Sequence, residues 1–264
     1  MKKQTSWGKV ANWYDSMLEK DDDSFQQKVI LPNLIRSMTL DKNQIVLDLA
    51  CGQGFFSRIF AQSGAKVIAS DISPELIQIA KSRRVSNDVT RHDFAKSKNI
   101  EYHVSPADKI NFCADKSVDS ITIILALQNI KNVDGVLAEC ARVLKEKGSI
   151  FLVLNHPAFR APKVSSWQWD EQAKIQYRRM DAYLSEFQTE IDMNPGKKQS
   201  EKTVSFHRSL QWYFKMLRKN GFAVAKLEEW ISHREPTRGP RFAAEDKARK
   251  EFPLFLFLEG RKIK

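Results

Sequence analysis

The sequence predicts a doubly wound α/β fold with a mostly parallel, seven-stranded sheet, and three observations carry that expectation. Short apolar strands alternate with amphipathic helical stretches between residues 44 and 155, at the pitch of repeating βα units. The first of these strands, QIVLDLA, runs directly into the glycine turn CGQG and then a helix. A chain of 264 residues is also long enough to bury one large core rather than two small ones.

Residues 1–40 read as an N-terminal helical cap. Trp7, Val10, Ala11, Tyr14 and Leu18 recur at helical spacing. A second run, SFQQKVILPNLIRSM, has Ser24 as its N-cap and Pro32 as an interruption. Residues 41–155 form the core. Strands are expected at 44–50, 66–71, 99–104, 118–127 and 149–155. The intervening helices close at Gly64, start on Ser73 and Pro74, and run through VDGVLAECARVLKEKG to Gly148. Residues 156–206 break the rhythm and read as a lid inserted over the sheet's carboxyl edge, with a helix over KIQYRRMDAYLSEF and a turn at Pro195-Gly196. Residues 207–264 return to order with the helix SLQWYFKMLRKNG, the strand FAVAKLEEW and a last strand at 253–260, completing a single domain of 1–264.

Composition narrows the functional classes. No apolar run reaches the roughly 18 residues needed to span a bilayer, and Lys2 and Lys3 are followed by no apolar h-region, so a cytoplasmic location is expected. The three cysteines and five histidines lack disulfide-framework or metal-ligand spacing, so no metal is expected. The net charge of +11 divides into +3 for residues 1–155 and +8 for residues 156–264. A basic half suits an RNA partner, an acidic small substrate or a solvated surface; the dispersal of these charges favours the last.

The segment VLDLACGQGFFS is the most informative in the chain. Gly52 and Gly54 remove Cβ atoms where a ligand approaches backbone amides. The dinucleotide fingerprint would place a third glycine at position 57, which is Ser57 here. Asp48 would repel a pyrophosphate but accepts hydrogen bonds from a cofactor's ammonium group, directly or through water. Asp71 closes the second strand, where a carboxylate receives both hydroxyls of an adenosine ribose. This set points to a sulfonium amino-acid nucleoside over a dinucleotide, and so away from a NAD-dependent dehydrogenase.

On these motifs, residues 44 to 157 resemble the class I S-adenosyl-L-methionine-dependent methyltransferases of the type 11, ubiquinone-biosynthesis-like group. VLDLACGQG is similar to the group's first motif, ASDISPELIQIAK to its second strand and helix, and the stretch from Ala107 to Val153 to its third-to-fifth-strand region. The resemblance implies a Rossmann-like methyltransferase fold that binds S-adenosyl-L-methionine and releases S-adenosyl-L-homocysteine. It implies that Gly52 and Gly54 line the cofactor with Cys51 contributing backbone, and that Asp71 holds the ribose. Ile72 would pack on the adenine, Ala107 and Asp108 sit at its edge, and Leu125 and Gln128 lie near the methionine part. Pro106 stands where the group often has an acid. Tyr14 is similar to aromatics that close over the cofactor.

The acceptor is expected to be a small molecule, acidic or aromatic. His156, directly after the fifth strand, has the pKa range to orient or deprotonate it, although a strand-exit histidine is also commonly a structural hydrogen-bonding group. Arg160, Arg178 and Arg179 are expected to clamp an acidic group, with Trp167, Trp169 and Tyr177 as an apolar wall. The resemblance adds the pair His207-Arg208 facing the substrate. Two rivals remain: a tRNA or rRNA methyltransferase, and a non-catalytic cofactor-binding partner of another methyltransferase. The first is disfavoured by Leu125-Ala126-Leu127-Gln128 at the fourth strand's end, which is no Asn/Asp-Pro-Pro-Tyr signature.

Overall fold

The computed structural model describes residues 6–83, 99–193 and 200–263. Its centre is a seven-stranded sheet built from β1 (Ile45–Leu49), β2 (Lys66–Asp71), β3 (Ile100–Val104), β4 (Val118–Ile124), β5 (Leu144–Asn155), β10 (Phe222–Trp230) and β11 (Phe255–Lys262). The spatial order is β10-β11-β5-β4-β1-β2-β3. β11 alone runs antiparallel to its neighbours, so the sheet is mostly parallel, as the sequence predicts. The chain winds outward from β1 to β3 and then returns to the other side of β1 with β4. The crevice between the carboxyl ends of β1 and β4 is therefore the topological switch point, where open α/β sheets bind ligands.

The central strands are apolar on both faces because both faces are covered. One side packs Leu47, Leu49, Ile121 and Ile123 against α6 (Val133–Val143) and α7 (Leu210–Lys219). The other packs Val46, Val67, Val153 and Phe257 against α3 (Leu31–Met38), α4 (Phe55–Gln62) and α5 (Pro74–Arg83). The N-terminal part is α1 (Ser6–Lys9), α2 (Ala11–Lys20) and a π-helical turn, Gln26–Ile30, that leads into α3. Ser24 Oγ accepts from the Gln27 N–H at 3.3 Å, and Pro32 sits where the π-helical turn passes into α3.

Two expectations are corrected, and one element the sequence did not announce is added. The helix expected to reach Gly148 stops at Val143, and β5 begins at Leu144, paired with Val118 across a slipped register. Gly148 is a glycine of that irregular strand, since a Cβ there would lie 2.9 Å from the Asp119 carbonyl oxygen. The helix expected over residues 174–187 is absent. Its residues form β7 (Ile175–Met180), a connection, and the start of β8 (Phe187–Asp192). β7 pairs with β6 (Ser165–Asp170), and β8 with β9 (Lys202–His207), giving two antiparallel hairpins. The period-two alternation that decides this is visible in burial: Gln176, Arg178 and Met180 are half-buried while Ile175, Tyr177 and Arg179 face solvent. Finally, α8 (Phe242–Glu251) went unpredicted because it has no apolar stripe; Ala248 is its one buried residue, and Asp246 pairs with Arg249 and Lys250 on its surface. The turn expected at Pro195-Gly196 lies outside the described residues.

The two hairpins go to different places. β8–β9 lies over the 3₁₀ turn Leu127–Asn129 and against α1, at the mouth of the switch-point crevice. β6–β7 packs on α8. Among the described residues, no helix is long and apolar enough to cross a membrane, and no group of His, Cys, Asp and Glu could hold a metal ion.

Candidate active site

The turn after β1 folds as it does because left-handed backbone is concentrated there. Ala50, Gly52 and Gly54 have φ of 55°, 59° and 79°, and Gly54 is the residue at which α4 starts. The Gly52 N–H donates to Asp71 Oδ2 at 3.0 Å, and the Ser73 N–H donates to Asp71 Oδ1 at 2.8 Å. Each carboxylate oxygen accepts one of these bonds and keeps further lone-pair capacity. The backbone adds a second tie, from the Cys51 N–H to the Ser70 carbonyl at 3.0 Å. The ends of β1 and β2 are thus fixed around one buried carboxylate. Across the crevice, Leu125 also has a positive φ, 53°, and Gln128 Nε2 donates to its carbonyl at 2.8 Å. Two non-glycine residues in this sparsely populated region, facing one another, are the kind of strain that gathers at functional sites.

Between these ends lies a cavity of about 370 Å³. The sequence-predicted residues that line it are Tyr14, Gly52, Asp71, Ile72, Ala107, Asp108 and Leu125. Ile72 is 52% exposed, an apolar surface with room for a flat ring. Asp108 accepts from Asn132 Nδ2 at 2.8 Å at the same rim. Tyr14 stands edge-on to Trp7 at 5.5 Å, and together they form the cap's contribution to the wall. Burial, with the charges of Asp71 and Asp48, pushes the Tyr14 phenol up to about 12, so it is a hydrogen-bonding group rather than a base. Trp7, Ile124 and Asn129 also line the cavity and were not predicted. Trp7 had a signal, its seven-residue spacing from Tyr14, whereas the Asn129–Asn132 rim had none.

Four predicted cofactor residues lie behind the lining. Asp48, 2% exposed, accepts from Ser57 Oγ at 2.5 Å and Thr122 Oγ1 at 2.8 Å, holding α4 and β4 to β1 under the turn. Cys51 contributes its backbone bond, and burial pushes its thiol well above the ordinary range. Gly54 makes room for Tyr102, not for the cavity. Gln128 supports Leu125, and its Oε1, like Asn129 Oδ1, is buried without a partner among the described residues.

Asp48 gives the site a pH signature. Burial raises its carboxyl to about 6 against the opposing hydrogen bonds from Ser57 and Thr122. The folded protein therefore holds a proton that the unfolded chain has released, so folding stability falls as pH rises between about 4 and 6. A shift of this size corresponds to about 3 kcal/mol. Urea unfolding at pH 4.5, 6 and 7.5 is expected to show a flatter profile for Asp48→Asn than for the wild type. Equal slopes would contradict the burial argument.

The expected acceptor residues fare differently. His156 is 2% exposed and does not line the cavity. Its Nδ1 accepts from the Ala158 N–H at 3.2 Å, which leaves Nε2 to donate to Glu229 on β10 at 2.7 Å. Burial lowers its pKa, so it is a neutral strand-exit anchor, not a base at the cavity. Trp167 and Trp169 belong to the hairpin on α8, where Trp167 meets Phe252 edge-on and Arg241 stacks over Trp169; Tyr177 and Arg179 face outward. That aromatic wall does not enclose the cavity. His207 Nε2 donates to the Tyr183 carbonyl, 2.8 Å away, and the ring stacks on Phe187. Arg208 bonds the carbonyls of Ile130 and Lys131 at 2.9 and 3.1 Å, bracing the cavity rim from behind.

Residues 47–152 match the family model described as a methyltransferase domain. Over that stretch the chain is similar to a methyltransferase domain. A demethylmenaquinone methyltransferase of Tropheryma whipplei is 36% identical over 119 residues, 44% of this chain and 45% of the relative. A ubiquinone biosynthesis O-methyltransferase of Xanthomonas oryzae is 31% identical over 107 residues, 40% and 41% of the two chains. The chain thus covers less than half the length of these curated relatives. An S-adenosylmethionine-dependent methyltransferase structure from Mesorhizobium loti shares the fold with a TM-score of 0.69 and 22% identity, covering 90% of this chain and all of that one. The cofactor of such a methyltransferase domain is S-adenosylmethionine, and the residues here fit it. Asp71 has lone pairs for two ribose hydroxyls, Ile72 offers an uncovered apolar face, and Gly52 opens the turn.

Proposed function

We propose that the protein transfers a methyl group from S-adenosylmethionine to a small-molecule acceptor, with residues 1–264 acting as one unit. The observation that carries this reading is the pair of buried carboxylates, Asp48 and Asp71, beneath and beside a cavity of nucleoside dimensions. Their combined negative potential favours a sulfonium cation over a pyrophosphate. The bound cofactor supplies an already activated methyl group, so no protein nucleophile is required. Asp71 holds the ribose, Ile72 and Ala107 flank the base, and Tyr14 with Trp7 closes the site from the cap and keeps water out. Leu125, fixed in its strained conformation by Gln128, shapes the wall at the end of β4, beside which an acceptor is aligned. His156 has no part in proton transfer.

The names of the relatives above support quinol-type aromatic acceptors as the first to try. With S-adenosylmethionine and a panel of phenols and quinols, S-adenosylhomocysteine release is expected to depend on the acceptor. Release that no small acceptor stimulates, but that bulk tRNA does, would contradict the small-molecule reading.

A further inference from the structure

Among the described residues, most arginines are matched to acids. Arg36 pairs with Glu228, Arg83 with Asp15, Arg142 with Glu139 and Asp115, and Arg249 with Asp246. Arg160 and Arg178 are different, as is the more deeply buried Arg208, which bonds the Ile130 and Lys131 carbonyls. Arg160 and Arg178 are both half-buried, and neither has a carboxylate within ion-pair distance among the described residues. Arg160 Nη1 donates to Asn155 Oδ1 at 2.9 Å, and its guanidinium lies 5.4 Å over the Phe255 ring. Arg178 Nε donates to the Phe159 carbonyl at 2.7 Å, the residue before Arg160, and Nη2 donates to Ser165 Oγ at 2.8 Å. Burial and the nearby charge of Arg178 both push the Arg160 pKa down. Two like charges held together out of water by neutral acceptors alone are unfavourable in the unliganded protein.

Their place in the sheet gives that cost a purpose. Asn155 ends β5 and pairs with Phe255. Two residues earlier on β5, the Val153 carbonyl accepts from the N–H of Leu125, a cavity-lining residue, at 2.7 Å. Arg160 therefore stands one strand over from the end of the cofactor cavity, on the side where Phe25 packs against Phe255 at 5.7 Å. Guanidinium donors above an aromatic floor suit a planar anion.

We propose that Arg160, with Arg178 behind it as the second positive charge, is the subsite for an anionic group of the methyl acceptor, a carboxylate or a phosphate. This rests on the methyltransferase reading and narrows its acceptor class. Arg178 keeps one of the neighbours the sequence grouped it with, since its guanidinium lies 5.2 Å over the ring of Trp167, its cross-strand partner.

The test uses the full chain with and without saturating S-adenosylhomocysteine, in low-chloride buffer. The probes are 4-hydroxybenzoate, phenyl phosphate and the neutral 4-hydroxybenzyl alcohol, with binding followed by calorimetry. The wild type is expected to bind at least one anion tenfold or more tightly than the alcohol, and the better anion distinguishes carboxylate from phosphate. Arg160→Met is expected to reduce that anion to the level of the alcohol, and Arg160→Lys to keep part of the preference. The unliganded Arg160→Met protein is expected to melt higher than the wild type, because an unpaired like charge has been removed; a merely structural arginine would give the opposite shift. No anion preference, a preference that survives Arg160→Met, or a lower Tm or failed folding of that variant would overturn the proposal. Loss of S-adenosylhomocysteine binding in the wild type would instead remove the methyltransferase reading, so the two failures are distinguishable.

Discussion

Asp71→Ala is expected to weaken S-adenosylhomocysteine binding by roughly 100-fold or more, the largest effect on the cofactor of any single change. Two charge-assisted hydrogen bonds to the ribose would be lost, worth together about 3 kcal/mol or more. The same carboxylate also organises the protein, through the Gly52 and Ser73 amides. Alanine therefore leaves two buried N–H groups without acceptors and loosens the turn that presents Gly52. Asp71→Asn separates the two contributions, since one amide oxygen can still accept from a backbone N–H while the negative charge is gone. The asparagine variant is expected to keep most of the folding stability and still lose most of the affinity. Wild-type affinity in both variants would mean that the ribose lies elsewhere.

Gly54→Ala is expected to cost about 3 kcal/mol of folding stability, the sum of left-handed strain and overpacking, and to lower Tm by roughly 6–10 °C in a chain of this size. The added Cβ would stand 2.6 Å from the Tyr102 hydroxyl oxygen and 3.2 Å from two of its ring atoms, with φ at 79°. Tyr102 is only 6% exposed on β3, so its ring has little room to retreat. Tyr102→Phe in the same chain removes the closest contact and is expected to recover part of the loss. Gly52→Ala is the comparison: its Cβ would meet the Tyr14 ring at an ordinary 3.4 Å, so strain without collision is left. Equal losses at the two glycines would show that backbone conformation alone sets the cost.

These two glycines show what the sequence could and could not say. Their spacing after a buried strand marks the turn, and Asp71 at the end of β2 marks the facing wall of the cavity, because both follow from the geometry of one βαβ unit. That Gly54 serves Tyr102 depends on a contact 48 residues away in sequence, which no local pattern records. Asp48 is similar: its position was legible, but its engagement by Thr122 on β4 was not. The core strands were legible because burial on both faces makes them continuous apolar runs. The insertion was misread because KIQYRRMDAYLSEF satisfies a helical period as well as a two-residue one, and only its partner SSWQWD decides between them. His156 was a candidate base by residue type and by its place after the fifth strand; its bond to Glu229, 73 residues later, was not legible.

The most direct test of the central claim is a crystal structure of the protein grown with S-adenosylhomocysteine. The nucleoside is expected in the crevice between β1 and β4, with both ribose hydroxyls on Asp71 and the base against Ile72. A nucleoside bound away from Asp71, or a dinucleotide found in that crevice in its place, would contradict the account.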